Sequence, residues 1–131
     1  VSHILIVDDD PQVRRTLCRI LETHDLKCQA VSTVSEARSV IAGHIPAIVL
    51  LDVVVGNESG LNFHAELRRG PQTSAVVFIT GRRDLFPQLV AVAGPLDDWI
   101  IKPWDPEELV ARVRLVLRRL ANLNPASAEA R

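Results

Sequence analysis

A chain of 131 residues that is 47% hydrophobic has the length of one domain and enough apolar content for a core, which excludes intrinsic disorder. Aromatic residues make up only 4%, so Val, Leu, Ile and Ala must build that core. A net charge of −1 excludes a global pull toward nucleic acid or an anionic membrane, and no apolar run approaches the ~20 residues of a membrane span.

The first apolar run, His3 to Val7 (HILIV), is hydrophobic at nearly every position, the pattern of a strand buried on both faces. It exits into Asp8, Asp9 and Asp10. Asp10-Pro11 then supplies a cap and a first-turn proline for a helix whose stripe is Val13, Leu17, Ile20 and Leu21. Lys27 to Val31 (KCQAV) is a second, more polar strand that suits a sheet edge. Thr33 to Glu36 (TVSE) is a capping box, and Gly43 is expected to close that helix. Ala47 to Leu51 (AIVLL) is a third strand, running into Asp52.

Leu61 to Arg68 reads as a helix ended by Gly70-Pro71, and Ala75 to Ile79 (AVVFI) as a fourth strand leading to Thr80. Asp84 is expected to open the next helix, with Pro87 in its first turn and Gly94-Pro95 as its stop. Trp99 to Ile101 (WII) is the fifth strand, followed by Lys102-Pro103. Asp105-Pro106-Glu107-Glu108 opens the last helix with a cap, a proline and acidic residues that suit the helix dipole. Leu109, Val113, Val116, Leu117 and Leu120 form its apolar face. Periodicity fades from Ala121, so 1–120 reads as the domain and 121–131 as a linker stub or disordered tail. Nothing after Leu120 resembles a helix-turn-helix, and whether the chain stands alone or is part of a longer protein stays open.

Cys18 and Cys28 lie ten positions apart with no Cys or His companion at metal-ligand spacing. They read as reduced thiols of a cytoplasmic protein, without chemistry of their own. No basic segment and apolar stretch mark a secretory signal at the start, which agrees with that location.

Five strands alternating with five helices predict an α/β fold: a (βα)5 doubly wound, parallel five-stranded sheet with right-handed crossovers. The order 2-1-3-4-5 puts the polar second strand at an edge. In such sheets the site lies beyond the carboxyl ends of the strands, where strands 1 and 3 part. There the chain presents Asp8, Asp9 and Asp10 after strand 1, Asp52 after strand 3, Thr80 after strand 4 and Lys102 after strand 5. Singly, each has a plain structural reading as a solvated strand end, a helix cap or a turn. Together they form a constellation. Two carboxylates ~5 Å apart repel by roughly 3 kcal/mol at an effective dielectric of 20. Lys102 offsets part of that, and a hard divalent cation such as Mg²⁺ suits the remaining oxygen donors. A carboxylate so placed can accept a phosphoryl group, with cations around the equatorial oxygens.

The stretches ILIVDDDP, VLLDVVVGNESG, FITG and DDWIIKPWDPEEL resemble the receiver domains of two-component response regulators over nearly the whole chain. The resemblance implies a flavodoxin-like receiver fold and a phosphoprotein signalling domain rather than a turnover enzyme. Asp52 matches the phosphoacceptor, and Asp8, Asp9, Asp52 and the Val54 backbone carbonyl match the Mg²⁺ ligands. Thr80 and Lys102 match the catalytic hydroxyl and lysine, and Thr80 with Trp99 the conformational switch. Pro103 matches a proline after a cis peptide, and Gly60 the loop glycine eight residues past the acceptor. Val54 and Arg82 match the side chains flanking the line of water attack, where Arg82 is expected to meet the phosphoryl oxygens. Implied partners are a histidine kinase or phosphotransfer protein and an output domain or effector. A homodimer through helix 4, strand 5 and helix 5 is also in keeping with the family. Neither direct nucleic-acid binding nor a membrane is implied.

Three positions depart from the family pattern. Gly56 replaces the usual proline, which predicts a looser loop after Asp52. Gly81 replaces a common alanine and opens room beside Thr80, and Trp99 is bulkier than the usual Tyr or Phe. Two alternatives compete. A haloacid-dehalogenase-like phosphatase would use Asp8 in a DxDx[TV] frame, but here Asp8-Asp9-Asp10-Pro11-Gln12 fails at the last position. A degenerate receiver would act as an interaction module without phosphorylation.

Overall fold

The computed structural model describes residues 3–71 and 74–123. In chain order its elements are β1 (Ile4–Val7), α1 (Pro11–Thr23), β2 (Cys28–Val31), α2 (Val34–Gly43), β3 (Ile48–Asp52), β4 (Val54–Val55), β5 (Glu58–Ser59) and α3 (Gly60–Arg69). Then come β6 (Ala75–Thr80), a 3-10 turn at Arg83–Leu85, α4 (Phe86–Val92), β7 (Asp97–Ile101) and α5 (Pro106–Leu123). Five strands make one sheet in the order β2-β1-β3-β6-β7, every neighbouring pair parallel. The two-residue strands β4 and β5 pair only with each other. Without them the sheet has the expected 2-1-3-4-5 order, with β2 at an edge.

The period-2 alternation of a strand sorts the core into two halves. Leu5, Val7, Val49, Leu51, Val76 and Phe78 face one side and pack with Val34, Ile41, Phe63, Leu67 and Leu89 of α2, α3 and α4. Ile4, Ile6, Ile48, Leu50, Val77 and Ile79 face the other and meet Leu17, Leu21, Leu109, Val113 and Val116 of α1 and α5. Each fully buried Leu, Ile or Val contributes about 1.5–3 kcal/mol of transfer free energy. A core of small aliphatic residues is therefore sufficient.

The helix starts follow the capping chemistry. Asp10 Oδ1 accepts from the Gln12 amide at 2.8 Å, Thr33 Oγ1 from the Glu36 amide at 3.1 Å, and Asp105 Oδ1 from the Glu107 amide at 2.8 Å. Glu36 in turn accepts from the Ser32 and Thr33 hydroxyls, at 2.7 and 3.2 Å.

Several boundaries differ from expectation. Gly43 is the last helical residue of α2, and His44, in extended conformation, is the cap. Asp84 lies in the 3-10 turn, so α4 begins two residues later, at Phe86. β7 starts at Asp97, ahead of Trp99. α5 continues to Leu123, because Ala121 to Leu123 holds no helix breaker and the next proline is Pro125. The tail expected over 124–131 lies outside the described residues.

Candidate functional site

Strand ends bring the reactive groups together. Asp8 follows β1, and its side chain is 4% exposed. Its Oδ1 accepts from the Asp10 amide at 2.9 Å, while Oδ2 lies 3.3 Å from Lys102 Nζ. Asp52, the last residue of β3, places Oδ2 at 2.9 Å from the same Nζ and Oδ1 at 3.2 Å from the Val54 amide. One ammonium thus bridges two carboxylates from strands adjacent in the sheet. Carboxylate oxygens of Asp8, Asp9 and Asp52 all lie within 4.8 Å of one another.

The local electrostatics follow from burial. Burial pushes the Asp8 carboxyl above the ordinary range; the Asp10 amide and Lys102 offset part of this, and the neighbouring Asp52 charge adds to it. Burial works against the Lys102 charge, but the hydrogen bond to Asp52 and the field of both carboxylates outweigh it. Lys102 therefore holds its proton more tightly than an ordinary lysine.

Thr80 ends β6 and is buried; its Oγ1 accepts from the Arg82 amide at 2.9 Å. The hydroxyl proton remains for donation to another acceptor. Trp99 stands opposite Phe78 in the β6–β7 register, and Thr80 stands opposite Ile101. Trp99 and Thr80 are thus diagonal neighbours on one sheet face, where Trp99 packs half-buried against the α2–α4 side of the core. The Lys102–Pro103 peptide is cis.

Gly60 is a steric requirement. Its amide donates to the Val53 carbonyl at 2.7 Å, so closely that an added Cβ would overlap the Asp52 carbonyl oxygen. At Gly81 an added Cβ would meet only Lys102 Cβ, at 3.8 Å. Gly56, expected to loosen the loop, instead makes a tight one. Its φ of 62° opens the two-residue Gly56-Asn57 turn joining β4 to β5, a backbone that proline cannot adopt. The Val54 contact with Asp52 is through its amide, and its side chain packs partly on the core.

Arg82 does not face Asp52 with a free guanidinium: it is held by Asp84 at 3.0 and 2.8 Å on the surface. Arg14 went unnoticed in the sequence, where it is one of several arginines on α1. Its Nη1 donates to the Asp8 carbonyl at 2.8 Å and braces the acidic loop. A second cluster, the buried His64 and Asp97 with the exposed Arg68, also escaped the pattern of the sequence. His64 Nε2 lies 2.7 Å from Asp97 Oδ2, Arg68 binds Asp97 Oδ1, and the Gly94 amide donates to Oδ2 at 2.8 Å. It ties α3 to the start of β7, away from the acidic crevice.

Residues 4–114 match the family model described as the response regulator receiver domain. The chain belongs to that family. The receiver domain is 37% identical to the transcriptional regulatory protein BasR of Escherichia coli, over 91% of this chain and 54% of the relative. It is 33% identical to the transcriptional regulatory protein AruR of Pseudomonas aeruginosa, over 100% of this chain and 55% of the relative. It superposes on the BeF3-activated receiver domain of Klebsiella pneumoniae RstA with a TM-score of 0.76 and 31% identity, covering 89% of this chain and 99% of that one. The receiver domain spans about half the length of the curated relatives it matches. This membership replaces the phosphatase frame at Asp8 as the account of the acidic loop. Among the described residues no helix is long and apolar enough to cross a membrane.

Proposed function

We propose that this receiver domain accepts a phosphoryl group on Asp52 from a phosphohistidine of a histidine kinase or phosphotransfer protein. The observation that carries the reading is the Lys102 ammonium held between Asp52 and Asp8 at a sheet edge shared with Asp9 and Thr80. An Asp52 carboxylate oxygen forms the new bond to phosphorus while the phosphorus–nitrogen bond breaks. The imidazole leaves with the electron pair and is reprotonated from solvent. Lys102 steadies the charge on the phosphoryl oxygens, and the Thr80 hydroxyl donates its remaining proton to one of them.

Three carboxylates offering hard oxygen donors, one of them buried and reluctant to ionise, fit Mg²⁺. Asp8, Asp9, Asp52 and the Val54 carbonyl would hold the ion, which when bound supplies positive charge to the phosphoryl oxygens. Movement of Thr80 toward the phosphate would free space on the face it shares with Trp99, and that repacking is the output signal. The receiver reads as cytoplasmic, and its output as an effector or a further domain. The names of BasR and AruR favour an output in transcription. Exposed Val90 and Val92 on α4 favour a second copy docking through α4, β7 and α5.

Incubation with acetyl phosphate and Mg²⁺ tests this reading. One phosphoryl group per chain is expected, with none in the presence of EDTA. Sustained turnover of an aryl phosphate would instead restore the phosphatase alternative, and no uptake at all the degenerate one.

A further inference from the structure

Folding gives Cys18 and Cys28 the companion that their spacing lacks. Cys18 and Glu22 sit one turn apart on the same side of α1, and Cys28 opens β2, which runs beside that helix. The two sulfur atoms and a Glu22 carboxylate oxygen all lie within 4.8 Å of one another. Both thiols are free and half-buried, Glu22 is exposed, and Cys28 Sγ also points to the Cys18 carbonyl at 3.8 Å. Burial, the Cys18 thiol and the Glu22 charge push the Cys28 thiol well above the ordinary range, so it is a poor nucleophile while metal-free.

Two sulfurs and one carboxylate from adjacent elements are a donor set for a borderline-soft cation. We propose that Cys18, Glu22 and Cys28 form a Zn²⁺ site of three protein ligands, with a fourth position open to solvent. On binding, both thiols release their protons to water and ligate as thiolates. Two thiolates, one carboxylate and one Zn²⁺ leave a single negative charge. Arg15 and Arg19 line the same surface depression as Cys18, Glu22 and Thr23, and offset it. Cys28 pairs with Ile4 at the amino end of the parallel strands, opposite the edge that carries Asp8 and Asp52. The two sites can therefore be filled independently. Zinc here clamps the edge strand β2 onto α1.

The test is titration of the reduced, metal-free chain with Co²⁺ as an optical probe, with Mg²⁺ in excess to occupy the acidic crevice. The expected result is a near-ultraviolet thiolate-to-cobalt absorption that saturates at one ion per chain and is bleached by Zn²⁺. The chain has only two cysteines, so such a band reports on them alone. It should be lost in Cys18→Ser and Cys28→Ser, weakened in the exposed Glu22→Gln, and retained in Asp9→Asn. No band in the wild-type chain, one ion shared by two chains, or a full band in Glu22→Gln would overturn the assignment.

Discussion

At the scale of single residues, the three glycines Gly43, Gly60 and Gly81 are set apart by what a methyl group would meet. Gly60→Ala drives Cβ into the Asp52 carbonyl and near Val53 Cα, at 3.1 Å, where backbone rather than a flexible side chain must yield. Urea unfolding should show a loss of about 1–3 kcal/mol or more. Gly81→Ala should stay within ~0.5 kcal/mol of wild type. Gly43→Ala, helical with open space around it, should gain ~0.5–1 kcal/mol. Asp8 gives a test with a sign. Its pKa is higher in the folded than in the unfolded chain, so ionised Asp8 weakens the fold at neutral pH, and the penalty fades as pH falls through the folded value. Without Mg²⁺, Asp8→Asn should raise stability at neutral pH, and the gain should shrink on acidification. A loss at neutral pH would mean that the Lys102 contact outweighs burial.

At the scale of elements, buried His64 and Asp97, with Arg68 reaching in from the surface, join α3 to the strand that carries Trp99. Burial alone would raise the Asp97 carboxyl; hydrogen bonds from His64, the Gly94 amide and Arg68 outweigh it and hold the pKa below the ordinary range. Its contribution is thus present above the unfolded pKa and lost as pH falls through the folded one. Asp97→Ala leaves His64, Arg68 and the Gly94 amide without their acceptor and should cost about 3 kcal/mol at neutral pH, with a smaller penalty in acid. The two tryptophans make the sheet's faces separately observable. Trp99 packs against the α2–α4 side and Trp104 against the α1–α5 side. A beryllofluoride mimic of the phosphoryl group should change the fluorescence of wild type and of Trp104→Phe. A signal that survives in Trp99→Phe would place the repacking elsewhere.

The sheet was legible in the sequence because runs such as HILIV and AIVLL are too short and too apolar for surface helices, and because Asp10, Thr33 and Asp105 carry capping chemistry. Boundaries slipped where no side chain caps the helix, as at α4, or where no breaker stops it, as in α5. Asp8, Asp9, Asp52 and Lys102 could be grouped because a parallel sheet gathers its strand ends on one edge. The Cys18–Glu22–Cys28 and His64–Arg68–Asp97 groups could not, because they depend on how a helix rolls against a strand rather than on any strand end. The tight turn that requires Gly56 is not legible because β4 and β5, at two residues each, are too short to carry a strand pattern.

At the scale of the whole molecule, the two core layers hold the strand ends in register so that one ammonium can serve two carboxylates. Everything proposed for the signal depends on covalent chemistry at a single one of them. The decisive measurement is borohydride trapping of the phosphorylated chain followed by peptide mass spectrometry, since reduction converts an aspartyl phosphate to homoserine. Homoserine at position 52 alone, dependent on Mg²⁺ and absent from Lys102→Ala under the same short exposure, is the predicted result. Homoserine at position 8 or 9, or an unreduced chain that nonetheless carries phosphate, would contradict it.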